Sequence, residues 1–597
     1  MTGSEIGDNL RWIPHATQVW AVASVSPAVK GKVKCEIIDL TGADDSPGEV
    51  ITLHEDELEK SSTHVEEAHV QMDVTDICQL YLSTTHEGPA LNFIKNMYSK
   101  GGVYINVAGL LVAVNPQSPQ PALYDKAMRF CVEDTYDLPA HIFKMCNKVI
   151  RTLFSRNLGN TSVDTLNQSI IMNGDSGSGK TETAQHAAHW IVRASPIIND
   201  DSADSEAGKR ALLLRDVIRD SNLVFASFGN AKTKFNDNSS RFGKYVKLQF
   251  TESNKLVSVY NETFLLEKSR LLTVTPGERS YHIFYQLFRG MGSAYPDLKK
   301  KLNLHAVEQF RMLTNGNCLY RQHVQEDVAG FHATVKALVS LGTSDEELKA
   351  LWTLLAVMLH LGNANFEQEE ADDLCRIVID TMSMNDLADL LGVSAEVFTS
   401  AMTTQSVANA SPPKSPRGTL SGTTVRNLSK EDVQINIHGF LKHIYKGIYF
   451  WLVRKCNHAG AYSGNILGLP VKFVGIMDLY GFEDKGATNS LEQLCINMSE
   501  ERLKQQFTER IFVQDAHLYA AEGIDCDFIQ YTDNQNIIDC ITKKPSGLLP
   551  SLDSATHEKM EQTAKLMSVN RDLITNSIHP ATSTPIKAHT KNLPMSP

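Results

Sequence analysis

Cysteine is sparse and scattered in this chain of 597 residues. Its ten cysteines run from Cys35 to Cys540 with no Cys-x-x-Cys pair. That argues against a zinc ribbon or a disulfide scaffold and suits a reducing compartment. No apolar run reaches the ~18–20 residues of a membrane-spanning helix. The most apolar stretches, Val103–Val114 and Leu351–Leu361, are too short. The opening MTGSEIGDNLRW lacks the basic and apolar regions of a secretory signal. Positive charge is not in excess either: 57 Lys and Arg against 69 Asp and Glu leave a net charge of −12. A wholesale basic nucleic-acid binder is thereby excluded. Internal repeats and long heptad runs are absent too. These features predict a cytoplasmic protein with no membrane span and no nucleic-acid partner.

What is present is an ordinary globular composition, 42% hydrophobic and 21% charged. The length exceeds the ~250–300 residues at which single cores stop growing, so several domains or one elaborated core is expected. Residues 17–60 alternate short β-rich runs (VWAVASV, KVKCEIIDL, VITLH) with polar turns, which predicts a small N-terminal β-barrel over residues 15–62. From residue 70 the periods lengthen into an α/β body that continues to residue 597. Asn199–Lys209 and Ala408–Thr424 read as low-complexity surface loops, and the tail His579–Pro597 reads as frayed.

The first chemical signal is SIIMNGDSGSGKTETAQHAAHWIV from Ser169. Gly174, Gly179, Lys180 and Thr181 satisfy G-x-x-x-x-G-K-[ST]. Glycines let backbone N–H groups face a phosphate without Cβ interference. Lys180 then reaches the β/γ-phosphates and the Thr181 hydroxyl ligates magnesium. The flanks agree: Ile170–Met172 reads as a buried strand, and Ala184, Ala187, Ala188 and Ile191 repeat as a buried helix face. A helix N-terminus adds its positive dipole end to the anion site. The run Gly174, Asp175, Ser176, Gly177, Ser178, Gly179, Lys180, Thr181 and Glu182 is therefore assigned to nucleotide binding. The fold class that follows is α/β, a P-loop NTPase core with a central mixed sheet flanked by helices.

Two further segments follow in order: NDNSSRFGK at residues 236–244 and DLYGFE at residues 478–483. Either alone is a polar turn. Together with the phosphate loop they resemble the switch loops of myosin motors. The resemblance extends to FASFGNAKT (225–233), NETFLLEKSR (261–270), ERSYHIFYQL (278–287), MLHLGNANF (358–366), LEQLCIN (491–497), VAVNP and KKPSGLLPSLD. It covers residues 15–555 in myosin order. Kinesins share a P-loop and an SSR switch but lack FGK and these blocks.

The resemblance implies ATP and Mg2+ bound among three loops. Thr181 and Ser240 resemble the two magnesium-ligating hydroxyls, and Asp478 the carboxylate that holds the water of that ion. Ser176, Ser239 and Asn236 line the phosphate tunnel, and the Gly481 amide meets the γ-phosphate. Arg241 and Glu483 resemble the salt bridge that closes the site and orients one water for in-line attack. Asn115, Pro116 and Tyr124 resemble the adenine pocket, although QSPQPALY lacks the basic residue that usually follows the Pro.

For the rest of the chain the resemblance implies a relay helix in the Gly- and Pro-free stretch 487–522, which opens on Asn489-x-x-Glu492 and carries Leu491, Leu494, Cys495, Met498, Phe507 and Ile511 as a stripe. It also implies an actin-contacting loop at Ala408–Thr424, where phosphorylation of Ser421 or Thr423 beside Gly422 would supply a negative charge. Filamentous actin is the expected partner, and the actin cytoskeleton or a myosin complex the expected location.

Departures are HGFLKHIY (438–445) and Cys526, where many members carry Trp. The domain 70–597 is expected to lack the C-terminal part of the head, the converter and the lever, with no light-chain-binding motif. A central sheet without one of its strands would leave backbone groups unsatisfied. Two activities stay open: a motor ATPase as part of a longer head, and a non-motor, ATP-gated actin tether. A P-loop metabolic kinase is disfavoured by the myosin blocks. His186 and His189, at i, i+3, read as structural histidines rather than metal ligands.

Overall fold

The computed structural model of the chain describes residues 9–38, 48–65, 86–107, 110–130, 139–155, 167–321, 324–369, 374–408, 423–462, 468–484, 489–525 and 531–555. The chain divides into two compact units. One comprises Met1–Leu266, Ala333–Thr343 and Phe450–Thr488, the other Glu267–His332, Ser344–Tyr449 and Asn489–Pro597.

The first unit opens with five antiparallel strands: β1 (Leu10–His15), β2 (Val19–Val25), β3 (Lys32–Ile37), β4 (Val50–His54) and β5 (Thr63–His64), in the order β4-β3-β2-β1-β5. The period of two is explicit in β3, where Val33 and Cys35 turn inward between exposed Lys32, Lys34 and Glu36. They pack with Ile13, Ala23 and Leu58. The sheet thus starts at Leu10, ahead of the expected residue 15, because Pro14 weakens the strand signal of β1. Among the described residues β4 and β5 are its edges and no pairing joins them.

The central sheet of this unit holds β6 (Gln168–Met172), β7 (Gly243–Thr251), β8 (Leu256–Phe264) and β9 (Pro470–Asp478), in the order β8-β7-β9-β6. β6 and β9 run parallel and the other pairs antiparallel, so the sheet is mixed. Helices α1 (Ile142–Ser155), α2 (Lys180–Ile198) and α3 (Glu206–Gly229) share its core, with Trp190, Leu214, Leu248, Phe250, Val474 and Ile476 buried together. The expected face of α2 is inward: Ala184, Ala187, Ala188 and Ile191 are all buried. One expectation is corrected. α3 begins within the supposed loop Asn199–Lys209, because Ser205 caps it by accepting the Gly208 N–H at 3.0 Å.

In the second unit the blocks NETFLLEKSR and ERSYHIFYQL supply most of a buried ionic network. The Arg270 guanidinium donates to Glu267 at 2.7 Å and to Glu278 at 3.0 Å. Arg279 donates to both oxygens of Asp327 at 3.1 Å, Arg289 joins at 2.7 Å, and Arg279 lies over the Tyr285 ring at 3.6 Å. The apolar run Leu351–Leu361 lies in α4 (Asp345–Leu361), a buried core helix begun by a Ser344/Glu347 capping box. The divergent HGFLKHIY lies in α5 (Lys430–Gly460), where buried Tyr445 stacks on Tyr281 at 4.9 Å. Strands Thr404–Ala408 and Thr423–Asn427 pair and so fix both ends of the expected actin loop. Ser421, Gly422, Cys526 and His579–Pro597 lie outside the described residues.

A helix stands where the relay helix is expected, with a different start and a different inner face. α6 (Leu491–Thr508) passes through a π-type turn, Glu509–Val513, into a helix at Gln514–Ala521. Its cap is Ser490, whose hydroxyl accepts the Gln493 N–H at 3.2 Å, and not Asn489. Glu492, free of the capping box, instead accepts the Ser269 N–H at 3.1 Å and the Ser269 hydroxyl. Within α6 the buried residues are Gln493 and Ile496, whereas Leu491 and Phe507 of the expected stripe are exposed.

Candidate nucleotide site

Sheet register decides where the chemistry gathers. Lys244 of β7 pairs with Asp478 of β9, which pairs with Met172 of β6. The chain therefore leaves β6, enters β7 and leaves β9 at one edge, the carboxyl end of the parallel strands. All three motif loops meet there.

The phosphate loop is built on glycine geometry. Gly177 and Gly179 adopt φ of 83° and 94°, a left-handed backbone that costs other residues roughly 1–2 kcal/mol. Gly179 is also the residue from which α2 starts. Lys180 Nζ folds back to the carbonyls of Gly174 at 2.5 Å and Asp175 at 2.8 Å. Gly481 approaches so closely that a Cβ there would lie 2.2 Å from the Gly174 carbonyl oxygen. No other residue fits at that position.

Facing this loop, the Ser239 and Ser176 hydroxyls are 3.5 Å apart, and those of Ser240 and Thr181 3.3 Å apart. The Asp478 carboxylate hydrogen-bonds Thr181. Burial pushes that carboxyl up from its ordinary value, and the Lys244 charge, the Thr181 bond and Lys180 restrain it. Lys244 is itself pushed down by burial and donates to Asn222 Oδ1 at 2.8 Å. Thr181, Ser240 and Asp478 thus offer oxygen donors only, the set a hard cation such as magnesium prefers. Among the described residues no group of three or more His, Cys, Asp or Glu could hold a metal.

Arg241 and Glu483, 242 residues apart, form a two-pronged salt bridge at 3.0 and 3.2 Å. The Arg241 side chain is 0% and that of Glu483 12% exposed, and Arg241 also donates to Ser239 Oγ at 3.3 Å. The Asn236 Oδ1 accepts the Asn238 N–H at 2.9 Å within a turn.

At the expected adenine pocket, Asn115 Nδ2 donates to the Gly177 carbonyl at 2.7 Å, which ties this segment to the glycine-rich loop. The Pro116 carbonyl accepts from the Tyr98 hydroxyl at 3.4 Å, and the hydroxyls of Tyr124 and Tyr104 are 3.0 Å apart. Sequence reasoning missed three participants. Lys244 stood inside a quoted motif, but its pairing with Asp478 is visible only through register. His186 stacks on Tyr124 at 3.5 Å with planes 10° apart and pairs with Glu182 at 3.4 Å. Buried His141 packs against Tyr104 and Tyr124, and burial holds its imidazole down to about 4. Nothing in the local sequence marked His141.

Fold and site together define a mixed α/β protein in which a glycine-rich loop and a buried ion pair meet at the carboxyl end of the parallel strands. The particular family follows from comparison. The model of the myosin head (motor domain) matches residues 74–583, and the chain belongs to that family. Similar curated proteins include Myosin-1 of Arabidopsis thaliana, 33% identical over 80% of this chain and 37% of its own length. Myosin-52 of Schizosaccharomyces pombe is 30% identical over 91% of this chain and 34% of its own length. The chain spans 30–38% of the length of the curated relatives it matches. Among the described residues no helix is long and apolar enough to cross a membrane.

Proposed function

We propose that this chain is a magnesium-dependent ATPase of the myosin type whose binding to actin filaments is controlled by nucleotide, acting in the cytoplasm at the actin cytoskeleton. The observation that carries the reading is the Arg241–Glu483 bridge, formed where three motif loops meet at one sheet edge. A surface ion pair would contribute little. A buried, two-pronged pair joining loops 242 residues apart is a closing device.

The residues have distinct tasks. The backbone of Gly174–Gly179 and Lys180 Nζ bind the phosphates, with Lys180 leaving its present carbonyl partners to do so. Thr181, Ser240 and Asp478 would hold the magnesium ion, which supplies electrostatic stabilisation of phosphate charge when bound. Ser239 Oγ, already a hydrogen-bond acceptor of Arg241, orients the attacking water. Arg241 and Glu483 exclude bulk water, and Glu483 receives the proton of the attacking water through a second water. The Gly481 N–H donates to the γ-phosphate.

The reading is tested by phosphate release from the purified chain with ATP and magnesium, with and without actin filaments. Release that actin accelerates and Lys180→Ala abolishes is expected. Equal release from the parent and Lys180→Ala would overturn it.

A further inference from the structure

Lys244 and Asp478 face each other across an antiparallel strand pair, yet their charges do not meet. Residues directly opposite in such a pair have Cβ atoms about 4.5–5.5 Å apart, and opposite charges there attract. A four-carbon lysine stem spans that gap easily. Both residues are only 5% exposed, so solvent would screen the contact little. Among the described residues, however, no carboxylate oxygen lies within 4.0 Å of Lys244 Nζ. The ammonium turns to α3 instead. It donates to Asn222 Oδ1 at 2.8 Å and lies 6.0 Å from the centre of the Phe225 ring, one turn further along that helix.

The alternative partner is within reach. Lys244 and Asp478 line one small cavity together with Gln185, Asn222 and Asn261, so there is room for the ammonium to cross. Crossing would matter, because Asp478 already accepts from Thr181 and belongs to the oxygen set suited to magnesium. A carboxylate in contact with a lysine has one oxygen fewer to offer, and the ammonium beside it repels a metal ion. Held at Asn222, the same charge still supports the buried carboxylate from a distance and leaves its oxygens open.

We propose that Asn222 is a positioning residue for the magnesium site: its side-chain carbonyl retains the Lys244 ammonium on α3 and so keeps the Asp478 carboxylate available to the metal. The assignment rests on the nucleotide reading above and adds a residue that acts on the metal only through Lys244.

The test is calorimetric titration of the full chain with ATP, once in magnesium and once in EDTA. A hydrogen bond to a charged group shifts an equilibrium by roughly 10- to 150-fold. Asn222→Leu removes the acceptor at similar volume, so ATP affinity in magnesium should fall by about that factor. Affinity in EDTA should stay within about threefold of the parent, which also shows that the variant is folded. Asn222→Asp keeps an acceptor for Lys244 and should hold the affinity in magnesium within about threefold of the parent. Adding Lys244→Met to Asn222→Leu removes the ammonium that would cross and should recover most of the loss, which a purely structural Asn222 would not allow. Unchanged affinity in magnesium for Asn222→Leu, equal losses in magnesium and EDTA, a loss in Asn222→Asp as large as in Asn222→Leu, or no recovery in the double variant would each overturn the assignment and leave the nucleotide reading intact. A parent that binds ATP equally in magnesium and in EDTA would overturn both.

Discussion

Removing the Glu483 carboxylate isolates the closing device from the phosphate cradle. Its partner Arg241 is wholly buried and also donates to the Ser239 hydroxyl at 3.3 Å. Two opposite charges about 4 Å apart attract by ~4 kcal/mol at an effective dielectric of 20. Burying the pair costs much of that, so the intact bridge adds little net stability. Truncating one partner is different, because the other stays buried and uncompensated, at about 3–5 kcal/mol. The closed arrangement of the Glu483→Ala variant is therefore disfavoured by roughly 10²–10⁴-fold, at about 1.4 kcal/mol per decade. Single-turnover hydrolysis of ATP should fall by that factor. ATP affinity should move by less than about threefold, since the glycine loop and Lys180 are untouched. Exchanging the charges (Arg241→Glu with Glu483→Arg) should recover part of the rate, limited by the lost bond to Ser239. Hydrolysis by Glu483→Ala within about threefold of the parent, or a reversed pair no better than the single variants, would refute the reasoning.

Three further outcomes follow from other parts of the molecule. Asp327, fully buried between Arg279 and Arg289, leaves the buried Arg279 and the partly buried Arg289 without this counter-ion when replaced by Ala, and urea denaturation should show a loss of about 3–5 kcal/mol; a loss under about 1 kcal/mol would contradict the network. Gly439 and Gly447 lie inside α5 with open space where a Cβ would be added. Gly439→Ala and Gly447→Ala should each therefore raise stability by about 0.5–1 kcal/mol in the same assay, and a decrease would show that the space is used. Burial holds His141 down to about 4 and His282 well below its ordinary value. Between pH 6.5 and 4 the unfolded chain then binds more protons than the folded one, and stability falls with pH by up to ~1.4 kcal/mol per unit per group. Denaturation midpoints at pH 7 and pH 5 check this, and His141→Gln should narrow the difference.

The legible parts of the site were those in which one short segment does the whole task. Gly174–Thr181 is such a segment: φ freedom, a helix start and a lysine all lie within eight residues, so the motif and its flanking strand and helix could be read together. Arg241 and Glu483 were legible only through resemblance, since no local rule pairs residues 242 apart. Composition misled at Asn199–Lys209, where an acidic Ser/Ala-rich stretch contains the cap and first turn of α3. The start signal misled in α6, because Glu492 of the Asn489-x-x-Glu492 pattern is taken by Ser269 and the neighbouring Ser490 caps the helix instead.

The surroundings of Tyr124 were hardest to read for a related reason. His186 and His189 stand at a spacing that invites a metal reading, and the absence of a carboxylate in register favoured a structural role. Glu182, at i−4 to His186, is on the same helix face, yet what gives the pair meaning is Tyr124, which is 62 residues earlier in the chain and comes into contact only when α2 is docked. Lys244 follows the same logic. It ends a motif that was read for its serines and arginine, and its influence on Asp478 exists only because β7 and β9 pair in a register that sets the two side by side. A one-residue slip of that ladder would send both side chains to opposite faces. The charge balance of the site is therefore a property of sheet register, which no segment of the chain carries alone.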